Sequence, residues 1–202
     1  MNTPPRLILA STSPRRRELL ALLGLPFEVV ASGFDEDSLS PQNLAPQDYV
    51  TALARGKAAE VAARVGEDTL VIGADALVIG ADTTVVLDGQ FLNKPADDAD
   101  AARMLRALSG RTHQVYTGLC LIHGSDVQTD YAVTEVTFDT LTDSVIAAYL
   151  ATGEPRDKAG AYGIQGKALS FIPGINGDYF NVVGLPLFLL CRMLPTFGLT
   201  VW

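Results

Sequence analysis

LILASTSPRRR, residues 7–17, describes a strand that passes directly into a helix. Its apolar start is typical of a buried strand, which we expect over residues 6–10. Ser13 is a good N-cap and Pro14 suits the first helical position, so a helix is expected over residues 14–23. The unpaired N–H groups of such a terminus, beside three arginines, favour an anion and phosphate above all. Read alone, however, the same stretch is more often an ordinary helix start in solvent.

The composition is that of a folded globular protein with no bulk positive charge. The 202 residues suffice for one sizeable core or two small lobes, and a hydrophobic content of 48% excludes a disordered chain. The net charge of −8 argues against a nucleic acid or an anionic membrane as partner. No apolar run reaches the roughly 18 residues of a membrane span. Cys120 and Cys191 match no metal or redox spacing and fit a reducing compartment.

Strand-like and helix-like segments alternate along the chain, which is typical of α/β proteins. Parallel and antiparallel signals both occur, and no linker divides residues 1–202. We therefore expect one domain with a three-layer α/β fold around a mixed sheet. The pair Asn176–Gly177, which lies between two apolar runs, predicts a β-hairpin. Further strands are expected at 27–32, 69–87, 112–122 and 127–140, and further helices at 46–64, 97–108, 142–152 and 185–194.

A heptad is repeated in tandem inside one predicted strand region. LVIGADA at residues 70–76 is followed at once by LVIGADT at residues 77–83, with six of the seven positions identical. Because seven is odd, equivalent positions of one continuous strand would face opposite sides of the sheet. Only one of Asp75 and Asp82 can then point into a given site, unless a bend or a bulge intervenes.

Four segments gather charge where core packing would not require it. They are Ser13–Arg16, Asp35–Asp37, Lys57, and Asp82 with Lys94 twelve residues further on. A carboxylate in an apolar run is costly unless it is paired or holds a metal. Carboxylates for a hard cation, beside lysines and arginines for phosphate oxygens, are typical of phosphoryl or nucleotidyl transfer to water.

Each segment also has a plainer interpretation. Asp35–Asp37 is more often a solvated loop, and Lys57 more often extends its ammonium past apolar neighbours to solvent. A strand-end aspartate such as Asp82 often only caps a turn. His113 and His123 have no ligand-like company and are expected to be structural.

Seven ordered segments carry a resemblance to a known family. With them the chain resembles the Maf family of nucleoside triphosphate pyrophosphatases over nearly its whole length. The segments are LILASTSPRRRELL (7–20), the loop of Glu36, LARGKA (53–58), VIGADTTVVLDGQFLNKP (78–95), LSGRTHQVYTG (108–118), TGEPRDKAGAYGIQG (152–166) and INGDYFNVVGLPL (175–187).

The family resemblance implies a fold, an activity and a location. The implied fold is Maf-like, similar to that of inosine triphosphate pyrophosphatase, with two lobes and a nucleotide cleft between them. The implied reaction is hydrolysis between the α and β phosphates, which gives the monophosphate and pyrophosphate. A cytoplasmic location and a homodimer are also implied.

Three positions separate substrate classes within the family. Members of the dTTP/UTP type resemble this chain in having Arg15, Thr83 and Gln165, whereas the 7-methyl-GTP type carries Trp, Gln and Glu there. A neutral amide such as that of Gln165 can match the donor and acceptor edge of uracil or thymine, while a carboxylate suits a positively charged methylated guanine. The resemblance therefore implies pyrimidine nucleotides as substrates, with 7-methyl-GTP as the alternative.

The same resemblance suggests a role for each charged residue. A divalent cation, Mg²⁺ or Mn²⁺, would be held by Glu36 with Asp82 nearby, and Asp82 would act as the general base toward water. The expected catalytic residues are Asp82, Lys94, Lys57 and Glu36, and the expected substrate-binding residues are Ser11, Ser13, Arg15, Arg16, Thr83 and Gln165.

The repeated heptad is a departure from the family pattern. Asp82 keeps the neighbouring threonine and the distance to Lys94, whereas Asp75 keeps the distance of eighteen residues to Lys57. We expect Asp82 to be the catalytic residue and the seven extra residues to bulge or loop out. A rival hypothesis is a nucleotide-binding regulator of cell division or septation with little turnover.

Overall fold

The computed structural model of this chain describes residues 5–67 and 76–202. Within these residues the chain forms seven strands and six α-helices, joined by loops and short 3-10 turns. The strands are β1 (Arg6–Leu9), β2 (Phe27–Val29), β3 (Ala76–Leu87), β4 (Gln90–Leu92), β5 (Thr112–His123), β6 (Asp126–Thr137) and β7 (Gly174–Asn176). The helices are α1 (Pro14–Ala21), α2 (Pro46–Glu67), α3 (Asp98–Leu108), α4 (Asp143–Leu150), α5 (Tyr179–Val183) and α6 (Leu187–Met193).

The strands of the described residues belong to one mixed sheet. Its order is β2-β1-β3-β5-β6-β7, with β4 paired to β3. The strand β1 runs parallel to both of its neighbours, so that Leu7 lies opposite Phe27 on one side and Leu77 on the other. The pairs β3–β4 and β6–β7 are antiparallel. This combination confirms the α/β class with a mixed sheet.

The chain divides into two compact units, and the first is built around small residues. Of the described residues, unit one comprises 5–67, 76–82, 117–132 and 184–202. Glycines let α2 lie close to the sheet: a Cβ added to Gly118 would lie 2.5 Å from the Val50 carbonyl carbon. The core between α2 and the strands consists of Ile8, Ala10, Ala54, Ala58, Val61, Val78, Cys120 and Ile122.

Unit two, residues 83–116 and 133–183, has an aromatic core. Phe138 makes edge-to-face contacts with His113, Tyr162 and Phe171, with ring centroids 4.8–5.1 Å apart. Such pairs add to the free energy gained by apolar burial. The amphipathic helix α3 covers this core with Ala101, Ala102, Met104, Leu105 and Leu108.

The predicted hairpin at Asn176–Gly177 is wrong. The strand β7 pairs with β6, and the chain then enters α5 instead of a second strand. Thr134 on β6 is the cause, because its hydroxyl donates to the Asp178 carbonyl and accepts from the Asp178 N–H, both at 3.0 Å. The buried Asn181 amide also donates to this hydroxyl, at 2.9 Å. These contacts bind the segment after Gly177 to β6.

The other predicted elements are observed with shifted ends. The helix α2 continues to Glu67, beyond the expected residue 64, and α6 begins at Leu187 because Pro186 occupies its N-cap position. Of the strand expected at 69–87, residues 76–87 are observed, and the preceding residues lie outside the described part. No helix in the described part of the chain is both long and apolar enough to cross a bilayer.

Candidate active site

The start of α1 is built as its sequence predicts. Ser13 is the N-cap, and its Oγ accepts from the Arg16 N–H at 3.4 Å. The buried Ser11 accepts from the Ser13 N–H at 3.2 Å through its own Oγ. The half-buried Arg16 donates from Nε to the Gly184 carbonyl at 2.8 Å. This bond holds the guanidinium against the segment that precedes α6.

Glycines bring α2 into direct contact with β3 and with the loop after β2. A Cβ added to Gly80 would lie 2.1 Å from the Ala54 carbonyl oxygen, so that only glycine fits there. A Cβ on Gly56 would lie 2.4 Å from the ring of Phe34, which belongs to the loop. Lys57, the next residue of the helix, therefore reaches both the strand and the loop.

Lys57 joins two carboxylates. Its Nζ lies 2.6 Å from Asp82 Oδ1 on β3 and 2.9 Å from Glu36 Oε1 in the loop. The Lys57 and Asp82 side chains are each 10% exposed, whereas that of Glu36 is 46% exposed. Lys57 therefore does not extend to solvent, because its two partners hold the ammonium inside unit one. Among these three side chains, which form the charge cluster together with Arg16, Glu36 is the most accessible to a ligand.

The residues beside Glu36 shape its loop. Asp35 Oδ1 accepts from the Asp37 N–H at 3.1 Å, and the Ser38 hydroxyl donates to the Asp35 carbonyl at 2.6 Å. Asp35 thus caps the 3-10 turn Glu36–Ser38. Of the three acidic residues in the loop, Glu36 is the one that the structure pairs with Lys57.

Burial is the strongest influence on the pKa values of Asp82 and Arg16, and the charges around them oppose it. Burial raises the pKa of Asp82, while the positive charges of Lys57 and Arg16 act in the opposite direction. Burial lowers the pKa of Arg16, and the charges of Asp82 and Glu36 oppose that effect. A buried carboxylate held between cations is the kind of group that enzymes use as a base.

The carboxylates of Glu36 and Asp82 suit a cation that is bound partly by the protein and partly by phosphate oxygens. Mg²⁺ in nucleotide sites is typically bound by one or two carboxylates together with substrate oxygens and water. Glu36 and Asp82 are two carboxylates of this kind, and each has one oxygen on Lys57 Nζ and a second oxygen that is not part of that ion pair. Across residues 5–67 and 76–202, no three His, Cys, Asp or Glu side chains gather as a closed metal site.

Three of the predicted site residues belong to unit two. Thr83 is half-buried and follows Asp82 on β3, and Lys94 is exposed in the segment after β4. Gln165 is exposed in a turn that is closed by a 2.9 Å hydrogen bond from the Gly166 N–H to the Gly163 carbonyl.

The structure therefore brings together Arg16, Glu36, Lys57 and Asp82 in unit one. The second copy of the heptad forms part of β3, where Leu77–Ile79 pair with β1. Asp75 and the segment expected to loop out lie outside the described residues.

Two contributors to this cluster are missing from the sequence interpretation. Glu60 holds the start of the Glu36 loop, since its Oε2 accepts from the Gly33 N–H at 2.8 Å. Gly184 supplies the carbonyl that binds Arg16. Glu60 could have been predicted from the sequence, because it lies one helical turn after Lys57. Gly184 could not, because it binds Arg16 through a backbone carbonyl 168 residues away.

Comparison with known proteins gives relatives of nearly the same length. Three of them are named dTTP/UTP pyrophosphatase. The protein from Moorella thermoacetica is 54% identical over 98% of this chain and 97% of the relative, and the one from Bacillus pumilus is 49% identical over 96% and 98%. The protein from Deinococcus radiodurans is 48% identical over 99% of this chain and 97% of the relative. The solved structure of the Staphylococcus aureus Ham1 protein aligns with 66% of this chain and 71% of the Ham1 chain, at 11% identity and a TM-score of 0.39. A similarity of this size supports no argument.

The family itself is shown by a match that spans almost the whole chain. A family model described as Maf-like protein matches residues 6–197, which include every segment of the charge cluster. Together with relatives that are about half identical in sequence, this match shows that the chain belongs to the Maf family.

Proposed function

We propose that this protein hydrolyses dTTP and UTP to the nucleoside monophosphate and pyrophosphate. The observation that carries the proposal is the buried Asp82 carboxylate, held by Lys57 at 2.6 Å beside Glu36 and Arg16. The names of full-length relatives that are 48–54% identical supply the substrate class. A base among phosphate-binding cations is what attack by water on a phosphoanhydride requires.

In the proposed mechanism Asp82 receives the proton of the attacking water. Lys57 Nζ contacts Oδ1, and we assign proton transfer to the other oxygen, Oδ2. Burial raises the pKa of Asp82, and the Lys57 ammonium opposes this effect and favours the ionised form that can accept a proton. The bond from the α-phosphorus to the bridging oxygen breaks, and pyrophosphate leaves with the electron pair. No covalent intermediate is required.

Positive and polar side chains would hold the triphosphate as the leaving group gains charge. Arg15, Lys57 and Lys94 would neutralise pyrophosphate. Ser11, Ser13 and Arg16 would bind phosphate oxygens near the start of α1, where N–H groups and positive charge coincide.

A divalent cation completes the proposal. Glu36 and Asp82 would hold Mg²⁺ or Mn²⁺, which would neutralise charge on the triphosphate oxygens. The exposed carboxylate of Glu36 suits a cation that arrives with the nucleotide.

Recognition of the base is assigned to unit two. The exposed Gln165 amide offers both a donor and an acceptor, as the edge of uracil or thymine requires. By the same resemblance, Thr83 and Arg15 are the residue types expected for pyrimidine nucleotides as substrates. By resemblance we also propose a cytoplasmic homodimer, for which light scattering would give twice the chain mass of 21.5 kDa.

Pyrophosphate release from a nucleotide panel tests the proposed function. With Mg²⁺ present, dTTP and UTP should have the highest kcat/KM and 7-methyl-GTP a low one. Gln165→Glu should reduce pyrimidine turnover with little change in unfolding temperature, because an exposed amide contributes little to the core. The highest kcat/KM for 7-methyl-GTP would contradict the substrate class. Absence of turnover with every nucleotide would favour a binding protein.

A further inference from the structure

The turn that carries Gln165 is held at both of its ends. At the front, the Gly163 N–H donates to the Tyr149 hydroxyl oxygen at 3.1 Å. At the rear, the Lys167 N–H donates to Glu154 Oε2 at 2.9 Å. The two anchors bracket the four-residue turn, and Gln165 occupies its third position.

The Tyr149 anchor is held in place by the core of unit two. Burial is the largest cause of the raised pKa of Tyr149, and the negative charge of Glu154 acts in the same direction. Tyr149 lies near the end of α4, is 4% exposed, and packs its ring edge-to-face on Phe171 at 5.2 Å. The aromatic core of unit two thus holds the Tyr149 hydroxyl in position.

Two side chains lie directly against the glycines of the turn. A Cβ on Gly166 would lie 2.2 Å from Glu154 Oε2, and a Cβ on Gly163 would lie 2.7 Å from Lys158 Cε. The Lys158 ammonium in turn donates to the Glu154 carbonyl at 2.7 Å. A Cβ at either glycine would therefore displace the end of the Glu154 or Lys158 side chain from the turn.

The Glu154 carboxylate is thus used inside the protein. Its Oε2 accepts the Lys167 N–H at one end of the turn, while the Tyr149 hydroxyl accepts the Gly163 N–H at the other. These contacts serve the backbone that presents Gln165, since both ends of that turn depend on them.

We propose that Tyr149 and Glu154 are positioning residues that fix Gln165 for recognition of the nucleobase. This inference rests on the proposed function, because it requires that Gln165 contacts the base. A hydrogen-bonding site discriminates between ligands only when its donor and acceptor are held in place, and a displacement of about 1 Å can cost roughly 100-fold in rate.

Two mild substitutions test the role of the pair. Tyr149→Phe removes the hydroxyl and keeps the ring, and Glu154→Gln removes the charge and keeps the shape. Both should raise KM for dTTP and UTP roughly tenfold and leave kcat within about threefold, as expected when substrate binding is lost equally in the ground and transition states. Tyr131→Phe, at an exposed position on β6, is the matched control and should change neither constant.

A double-mutant cycle separates positioning from a general structural role. If the pair acts through Gln165, then Tyr149→Phe should have little further effect on kcat/KM in a Gln165→Ala background. Full additivity of the two losses would overturn the proposal. So would unchanged KM values in Tyr149→Phe and Glu154→Gln.

Amide hydrogen exchange without nucleotide tests the contacts independently of activity. In Tyr149→Phe the Gly163 amide should exchange faster, and in Glu154→Gln the Lys167 amide should do so, while Tyr131→Phe matches the unsubstituted protein. Unchanged exchange in both variants would overturn the inference. Failure of the unsubstituted protein to bind or cleave dTTP or UTP would instead contradict the proposed function and, with it, the recognition role.

Discussion

Lys57 governs the charge of the candidate active site. Burial alone would favour the neutral form of Asp82, and the ammonium at 2.6 Å opposes this. Breaking a buried pair by removal of one partner typically costs about 3–5 kcal/mol, because the other charge is left without compensation. In the proposed mechanism, this pairing would favour the ionised form of Asp82, which acts as the base.

His113 is a second buried titratable side chain, in unit two. It is 2% exposed, and its Nε2 is bonded to the Tyr162 hydroxyl at 2.8 Å. Its Nδ1 has no hydrogen-bond partner in the described part of the chain. Burial lowers the pKa of His113 to about 4, so the folded protein holds a neutral imidazole. The expectation of a structural role for His113 agrees with this environment.

The pKa of His113 predicts a specific dependence of stability on pH. The unfolded chain has the ordinary pKa of about 6.5 and binds a proton more readily than the folded protein. Neutral His113 therefore makes its full contribution to the free energy of unfolding above pH 6.5. About 3 kcal/mol of that free energy is lost as the pH falls from 6.5 to 4. Urea unfolding between pH 7 and 4 should show this loss, and His113→Gln should lack that part of it. Equal pH dependence in the two proteins would contradict the prediction.

At the scale of elements, the contact between α2 and β3 positions the cluster. Lys57 and Asp82 are 25 residues apart in the sequence and meet because Gly80 lets the helix backbone approach the strand. The separation of these two elements therefore decides whether the ammonium reaches the carboxylate. A change at Gly80 should affect both stability and activity.

Gly80→Ala tests this dependence. Its Cβ would lie 2.1 Å from a backbone oxygen of α2, so the helix must move, at a cost of about 2 kcal/mol in the free energy of unfolding. The same movement should lower kcat, because it separates Lys57 from Asp82. Gly174→Ala in β7 is the matched control, since a Cβ there has no atom within 4 Å. Equal effects of the two substitutions on urea unfolding would count against the proposed packing.

The sequence predicted those elements whose signals are local. The N-caps of three helices, Ser13, Asp97 and Thr142, accept from the N–H three residues later, as expected of capping side chains. The segment after Gly177 differs, because contacts with Thr134, more than forty residues away, override its hairpin signal. Motifs predicted a functional role for Lys57 and Asp82, but their ion pair depends on packing between distant segments.

For the whole molecule, metal dependence is the next expectation. In the proposed mechanism Glu36 and Asp82 would supply two oxygen ligands, and phosphates of the nucleotide would supply others. Pyrophosphate release should therefore stop in EDTA and return when Mg²⁺ or Mn²⁺ is added in excess. Thermal unfolding without nucleotide should change little on chelation, because ion pairs hold the cluster in the apo protein. Undiminished turnover in thoroughly chelated buffer would remove the metal from the mechanism.

The repeated heptad offers the most direct test of the account, because the chain contains two aspartates in the same local sequence. Asp82 lies in the ion-paired cluster, and Asp75 precedes β3. In pyrophosphate release from dTTP, Asp82→Asn should lower kcat by roughly 10²–10⁴, the range for loss of a general base, while Asp75→Asn changes it little. Circular dichroism should show both variants folded. The reverse order of effects would mean that the first copy supplies the base, and equal small losses would contradict the catalytic role of Asp82.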